Sequence, residues 1–207
     1  MDNQKITSKI PKFWQRHPFA KDLVSLLTFI IGVILVTYAL TAFVFRSYNV
    51  VGGSMENTLQ PDDRVLVNRV PVSLAHLFNK NYTPNRGQVI VFINPNYRPG
   101  DQDQYIIKRT IAFSGERVVV KDGILTVYNN EHPDGFRPDD GFHGEPKAYT
   151  SGDVDEIIPE GAIFVSGDNR DGNHSFDSRN GLGLIPLYDI VGPVGLRVFP
   201  LDKVRFF

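Results

Sequence analysis

The chain has 207 residues, a net charge of -1, a hydrophobic fraction of 42% and no cysteine. A charge this close to neutral offers no field for a nucleic-acid partner. The missing cysteine excludes disulfides, thiol nucleophiles and cysteine-ligated zinc.

Met1 to Asp22 is polar and basic, with Lys5, Lys9, Lys12, Arg16 and Lys21 against Asp2 and Asp22. Leu23 to Phe45 then runs 23 residues without a charge. About 20 apolar residues in a helix cross a bilayer core, so this run predicts a transmembrane helix. It exceeds the apolar core of a secretory signal peptide, although Ala39 and Ala42 supply small residues of the kind found at cleavage sites. A buried core helix would show a polar face, which this run lacks. The basic flank predicts a cytoplasmic N-terminus over 1–22, a span over 23–45 and an extracytoplasmic domain over 46–207. That domain is long enough for one sizeable core, and a single pass through the plasma membrane is expected.

The rest reads as mainly β. Arg64–Asn68 predicts a short strand, and Ser73–Phe78 a helical turn inside an irregular stretch. Gln88–Ile93 is almost continuously apolar, as in a strand buried on both faces, and Asn94-Pro95 ends it. Gln104–Phe113 predicts a longer strand. Val118–Val120 and Ile124–Tyr128 flank Asp122-Gly123, a hairpin signal. Residues 129–153 are polar and rich in glycine and proline, which predicts an excursion from the sheet. Ala162–Val165 and Ile190–Val198 supply the last strands.

Ser54 follows the apolar run by nine residues, at most roughly 30 Å of extended chain. Its hydroxyl needs a base before it can act as a nucleophile. His17 lies on the other side of the expected span, and His76, His132 and His143 fall in polar, loop-like segments. His174 has Asp177 three residues on. Lys108 sits inside a strand pattern, sharing a face with Gln104, Ile106, Thr110 and Ala112. Such a lysine either snorkels to water or loses hydration and becomes a neutral base near neutral pH. The polar run from Gly167 to Arg179 reads as a turn with surface ion pairs, as a loop closing over a site, or as an acidic calcium-binding loop, against which stands its lack of the regular alternation of oxygen ligands seen in EF-hand loops.

Four pieces in order resemble the bacterial type I signal peptidases, membrane-bound Ser-Lys endopeptidases. They are the N-terminal anchor, Gly53-Ser54-Met55 continuing to Thr58-Leu59, Tyr105 through Ile111, and Gly167-Asp168-Asn169-Arg170 followed by Ser175 through Arg179. The resemblance implies an antiparallel, barrel-like β catalytic domain behind one transmembrane helix. It implies Ser54 as nucleophile, Lys108 as general base and Ser175 as the hydroxyl that orients the lysine amine. Asp168 and Asp177 would pair with arginines, here Arg109 and Arg179, to hold the loop over the site. Val50, Val51, Gly52, Met55, Leu59, Ile106 and Ile107 would line shallow pockets for small side chains in an Ala-X-Ala pattern. The implied partners are signal-peptide-bearing preproteins and membrane lipid, with no cofactor and no metal.

Three departures stand out. Asn57 occupies a usual proline position, four residues separate Arg170 from Ser175 where two are usual, and Gly52 lacks the hydroxyl that some members aim at the oxyanion. Two other readings remain open at this point: a self-cleaving relative of the SOS-repressor type, and a membrane-anchored β module that binds a partner through 129–153.

Overall fold

The computed structural model describes residues 18–141 and 149–207. The basic stretch through His17 and the middle of the 129–153 excursion, including His143, lie outside the described residues. The chain divides into two compact units, residues 1–42 and 43–207.

In the first unit, α1 (Pro18–Ala39) runs into a π turn, Leu40–Val44. The stretch Phe19–Val44 has a mean hydropathy of 2.5 and no buried residue, and it is long and apolar enough to cross a membrane. Its threonine hydroxyls are satisfied within the helix: Thr28 Oγ1 donates to Val24 O at 2.8 Å and Thr41 Oγ1 to Thr37 O at 3.0 Å. Lipid tails could not satisfy them.

The second unit is mainly antiparallel β. Its strands are β1 (Phe45–Asn49), β2 (Arg64–Asn68), β3 (Val89–Ile93), β4 (Tyr105–Phe113), β5 (Arg117–Lys121) and β6 (Ile124–Tyr128). They continue with β7 (Val154–Ile157), β8 (Ala162–Ser166), β9 (Ile185–Pro186), β10 (Ile190–Phe199) and β11 (Arg205–Phe206). The larger sheet runs β1-β2-β10-β3-β4-β8-β9 with β11 on β10, and the smaller runs β6-β5-β7. A short helix α2 (Val70–Leu77) follows β2. It begins three residues before the expected turn, because Pro71 suits a first helical turn.

β10 makes the large sheet curl. Its first residues, Ile190 to Pro193, pair with β3, and Val194 to Phe199 pair with β2. Register shifts at Ile190/Gly192 and Val194/Leu196 mark bulges, which bend a strand and tighten its twist. β3 passes through the middle: Val89 and Val91 join one core cluster with Met55, Leu59, Val65 and Val67, while Ile90 and Phe92 join another with Val72, Ile163 and Ile185. Burial on both faces explains its unbroken apolar sequence. The β5–β6 hairpin turns through Asp122 and Gly123, both at positive φ, and its inner face packs on Ile111 and Phe164.

β1, β7, β9 and β11 have no counterpart in the sequence reading. β1 continues directly from the apolar run, β7 is the acidic VDEI, and β9 and β11 are two residues each. The described part of the 129–153 excursion folds back on the smaller sheet. Phe136 bridges Val127, a 3-10 turn covers Pro138–Gly141, and Thr150 N donates to Gly123 O at 2.8 Å.

Candidate active site

β4 positions the site. It pairs with β3 over Tyr105–Arg109, but with β8 only from Arg109 onward. Among the described residues, no strand covers its other edge from Tyr105 to Lys108. A groove of about 540 Å³ opens here, lined by Tyr48 to Ser54, Gln104 to Lys108, His174 and Phe176 among others.

At the floor of the groove Lys108 Nζ lies 2.7 Å from Ser54 Oγ and 3.0 Å from Ile107 O. Lys108 is only 4% exposed. Burial pulls its amine down from an ordinary 10.5 to about 8, and Arg179 assists. Asp177 and Asp168 pull the other way without reversing the shift. Near neutral pH a useful fraction of the amine is therefore unprotonated.

The Ser54 backbone is clamped from the Gly167–Arg179 loop. Ser54 O accepts from Asn169 N at 3.0 Å, and Gly53 O accepts from Asn169 Nδ2 at 3.2 Å. Gly167 lets the two segments approach: a Cβ there would overlap both Ser175 Oγ and Ser54 O. The turn after Ser54 needs no proline at Asn57. Thr58 N and Leu59 N both donate to Met55 O at 2.8 Å, and the Thr58 hydroxyl donates to Asp168.

Asp168 and Asp177 sit at the centre of two buried networks. Asp168 pairs bidentately with Arg109, whose Nη1 also donates to Gly87 O at 2.6 Å. Asp177 pairs with Arg179 at 2.8 Å and accepts from Gly167 N at 2.8 Å and Ser166 Oγ at 3.1 Å. Burial alone would raise the Asp177 carboxyl; Arg179, Ser175 and the Gly167 N–H together hold it below the usual range.

Ser175 is placed differently from what the resemblance implies. Its hydroxyl donates to Asp177 Oδ2 at 2.7 Å, and the Lys108 amine bonds Ser54 and Ile107 instead. The buried Asp177 carboxylate is the stronger acceptor and takes the proton. Met55 and Leu59 are also corrected. Both are fully buried in the core with Val65 and Val67, and neither lines the groove, because the turn tucks them beneath it. Val50, Val51, Gly52, Ile106 and Ile107 do line it. His174 stands in the groove wall and its backbone N–H reaches Asp171 O, while the contact to Ser54 Oγ comes from Lys108.

Two groups escaped the sequence reading. Phe176, 48% exposed, forms part of the groove wall. Asp139 forms a buried bidentate pair with Arg170 at 2.7 and 2.8 Å, and Arg170 Nε donates to Gly167 O at 2.6 Å. The excursion thus braces the loop that clamps Ser54. An acidic pair in a polar stretch carries no sign of burial, so only the tertiary contact reveals it.

A serine hydroxyl against a buried, depressed amine beside an open strand edge defines a serine hydrolase of the peptide-cleaving kind. Comparison with known proteins narrows the class. The family model described as "Signal peptidase, peptidase S26" matches residues 23–199. Signal peptidase I P of Bacillus subtilis subsp. natto is 35% identical over 183 residues, covering 85% of this chain and 88% of that protein. Probable signal peptidase I-1 of Synechocystis is 32% identical over 199 residues, covering 95% and 89%. Signal peptidase I T of Bacillus subtilis is 31% identical over 179 residues, covering 85% of each. A signal peptidase I crystal structure from Enterococcus faecalis is 26% identical and covers 54% of this chain and 96% of its own, with a TM-score of 0.39. The chain belongs to the signal peptidase family, peptidase S26, and is a serine peptidase.

Proposed function

We propose that the protein removes N-terminal signal peptides from exported preproteins as a membrane-anchored endopeptidase, using Ser54 and Lys108 as a dyad. The observation that carries this reading is the 2.7 Å contact between Ser54 Oγ and an amine lowered to about 8. The neutral amine accepts the Ser54 proton as Oγ attacks the scissile carbonyl. The Ser54 backbone N–H is the donor for the resulting oxyanion, a kind of contact worth about 2.7–4 kcal/mol. Lys108, now protonated, gives its proton to the leaving amine as the peptide C–N bond breaks. It then takes a proton from the water that hydrolyses the acyl-enzyme ester.

The free edge of β4 from Tyr105 to Lys108 suits an extended substrate, which would add as a strand and place its carbonyl over Ser54. Val50, Val51, Ile106 and Ile107 would then meet the side chains one and three positions before the cut. Their shallow apolar surfaces favour small ones. Anchoring by Leu23–Phe45, with the N-terminus cytoplasmic and the β unit outside, brings the site to the substrate's membrane-inserted segment. Ser175 and Asp177 hold the loop, and the Asp177 charge faces Lys108.

The test uses full-length enzyme in detergent with a preprotein carrying Ala-X-Ala before the cut. Wild type should release the signal peptide, Ser54→Ala should not, and a bulky residue at either alanine should slow cleavage sharply. Equal cleavage of both preproteins would reject the substrate class.

A further inference from the structure

The free edge of β4 ends where β8 begins. Tyr105 to Lys108 pair with β3 alone, whereas Arg109 also faces Ser166 of β8. Beyond Ser166 the chain turns at Gly167 into the loop that clamps Ser54. A substrate strand laid along Tyr105 to Lys108, with its carbonyl over Ser54, therefore meets the end of β8 in its own line. Residues before the cut occupy the free edge. The residue after the cut cannot continue along β4, because Ser166 already holds that edge. It has to leave the sheet across the face of the Gly167–Arg179 loop.

The side chain it crosses follows from how that loop is held. Ser175 and Asp177 are both fully buried and joined to each other, the Ser175 hydroxyl donating to Asp177 Oδ2 at 2.7 Å. Asn180 fixes the backbone on either side of Phe176: its Nδ2 donates to Ser175 O at 2.6 Å, and its Oδ1 accepts from Asp177 N at 2.9 Å. With both neighbours turned inward, Phe176 is turned outward, and it lines the same groove as Ser54 and Lys108. One edge of its ring rests on Gly181, where a Cβ would meet Phe176 Cε2 at 3.4 Å. The remainder of the ring is half exposed. An aromatic ring backed by a rigid turn can cover an apolar side chain without first ordering a flexible loop.

We infer that Phe176 is a specificity-determining residue for the leaving side of the cut: its ring contacts the side chain of the first residue of the released chain and favours an apolar one. The inference rests on the proposed signal-peptide cleavage at Ser54. It adds a preference on the side of the cut opposite to Val50, Val51, Ile106 and Ile107. One methylene in an enclosed pocket changes kcat/KM by roughly 10–200-fold. A single wall covers less surface, so leucine after the cut should exceed glycine by about fivefold. Aspartate there would lose hydration against the ring and fall below glycine.

The experiment uses full-length enzyme in detergent and three preproteins with Ala-X-Ala before the cut and leucine, glycine or aspartate after it. All three leave the same acyl group on Ser54, so a difference in kcat/KM arises on the released side. Ratios between substrates cancel any general loss of activity in a variant. Wild type should rank leucine above glycine above aspartate, and Phe176→Ala should bring leucine and glycine to within about twofold. Phe176→Lys puts a cation where the ring stood and should raise aspartate above glycine. A loop merely loosened by the substitution would gain no such preference. Equal wild-type rates for leucine and glycine, a leucine preference that survives in Phe176→Ala, or no shift toward aspartate in Phe176→Lys would each overturn the contact and leave signal-peptide cleavage standing. Failure of wild type to cleave any of the three would reject the cleavage reading, and this inference with it.

Discussion

Replacing Lys108 by methionine should destroy activity and stabilise the fold, because burial of this amine costs free energy. The folded pKa of about 8 lies below the ordinary 10.5, so the unfolded chain binds the proton more tightly. A depressed lysine costs stability fully below the folded pKa, and the cost is relieved as pH rises from there toward the unfolded value. At pH 7 the difference converts to about 3 kcal/mol at ~1.4 kcal/mol per unit. Methionine, of similar length, removes that cost but also loses the bonds to Ser54 and Ile107 O, worth ~2 kcal/mol together. The net gain is about 1 kcal/mol at pH 7, and it should vanish by roughly pH 9, where the folded amine is mostly neutral, the unfolded one still protonated, and the remaining cost of about 2 kcal/mol matches the lost bonds. Guanidinium unfolding of both full-length proteins in nonionic detergent, followed by far-ultraviolet circular dichroism at the two pH values, measures it. A Lys108→Met protein no more stable than wild type at pH 7, or a difference independent of pH, would refute burial as the source of the depressed amine.

Three other outcomes follow from the same geometry. On the dyad reading, kcat/KM should rise with pH through about 8, Lys108→Arg should be inactive because guanidinium keeps its charge, and His174→Ala should retain most activity. An inactive His174→Ala protein beside an active Lys108→Ala protein would transfer the base role. Gly167→Ala should cost about 1–3 kcal/mol of stability by overpacking. Its kcat should fall by an order of magnitude or more, since the added methyl meets Ser54 O and Ser175 Oγ; stopped assays beside melting curves separate the two effects. Asp139→Ala should lower stability by about 3–5 kcal/mol by stranding the buried Arg170 charge. Adding Arg170→Met should recover much of that stability while lowering activity, because it removes the Arg170 bond to Gly167 O.

The sequence by itself determined the elements whose signals are local. The uncharged run from Leu23 to Phe45 reads as a span from its length alone, and the structure shows one apolar helix there. Gln88–Ile93 reads as a doubly buried strand because no polar side chain interrupts its apolar pattern, and β3 is buried on both faces. Asp122-Gly123 marks the β5–β6 hairpin because its two backbone angles must be positive. The four motif pieces pointed to the peptidase family, because nucleophile, strand lysine and loop recur there in one order.

Only the tertiary structure decided what those pieces do to one another. Ser54 and Lys108 stand 54 residues apart in the chain, and their 2.7 Å contact exists because Gly167 lets the loop close on Ser54 while β4 lies open at its outer edge. Whether Lys108 snorkels or is buried depends on the packing around it, which a strand pattern does not record. Met55 and Leu59 look like pocket residues in a motif, yet the turn drives them under the groove, where water is excluded. Ser175 bonds Asp177 because that carboxylate is buried and charged. The same cause hid Asp139, whose sequence neighbourhood reads as solvated loop until Arg170 removes it from water. Local composition sets which segments form strands and helices; burial, which fixes pKa and partner choice, is a property of segments distant in the chain meeting one another.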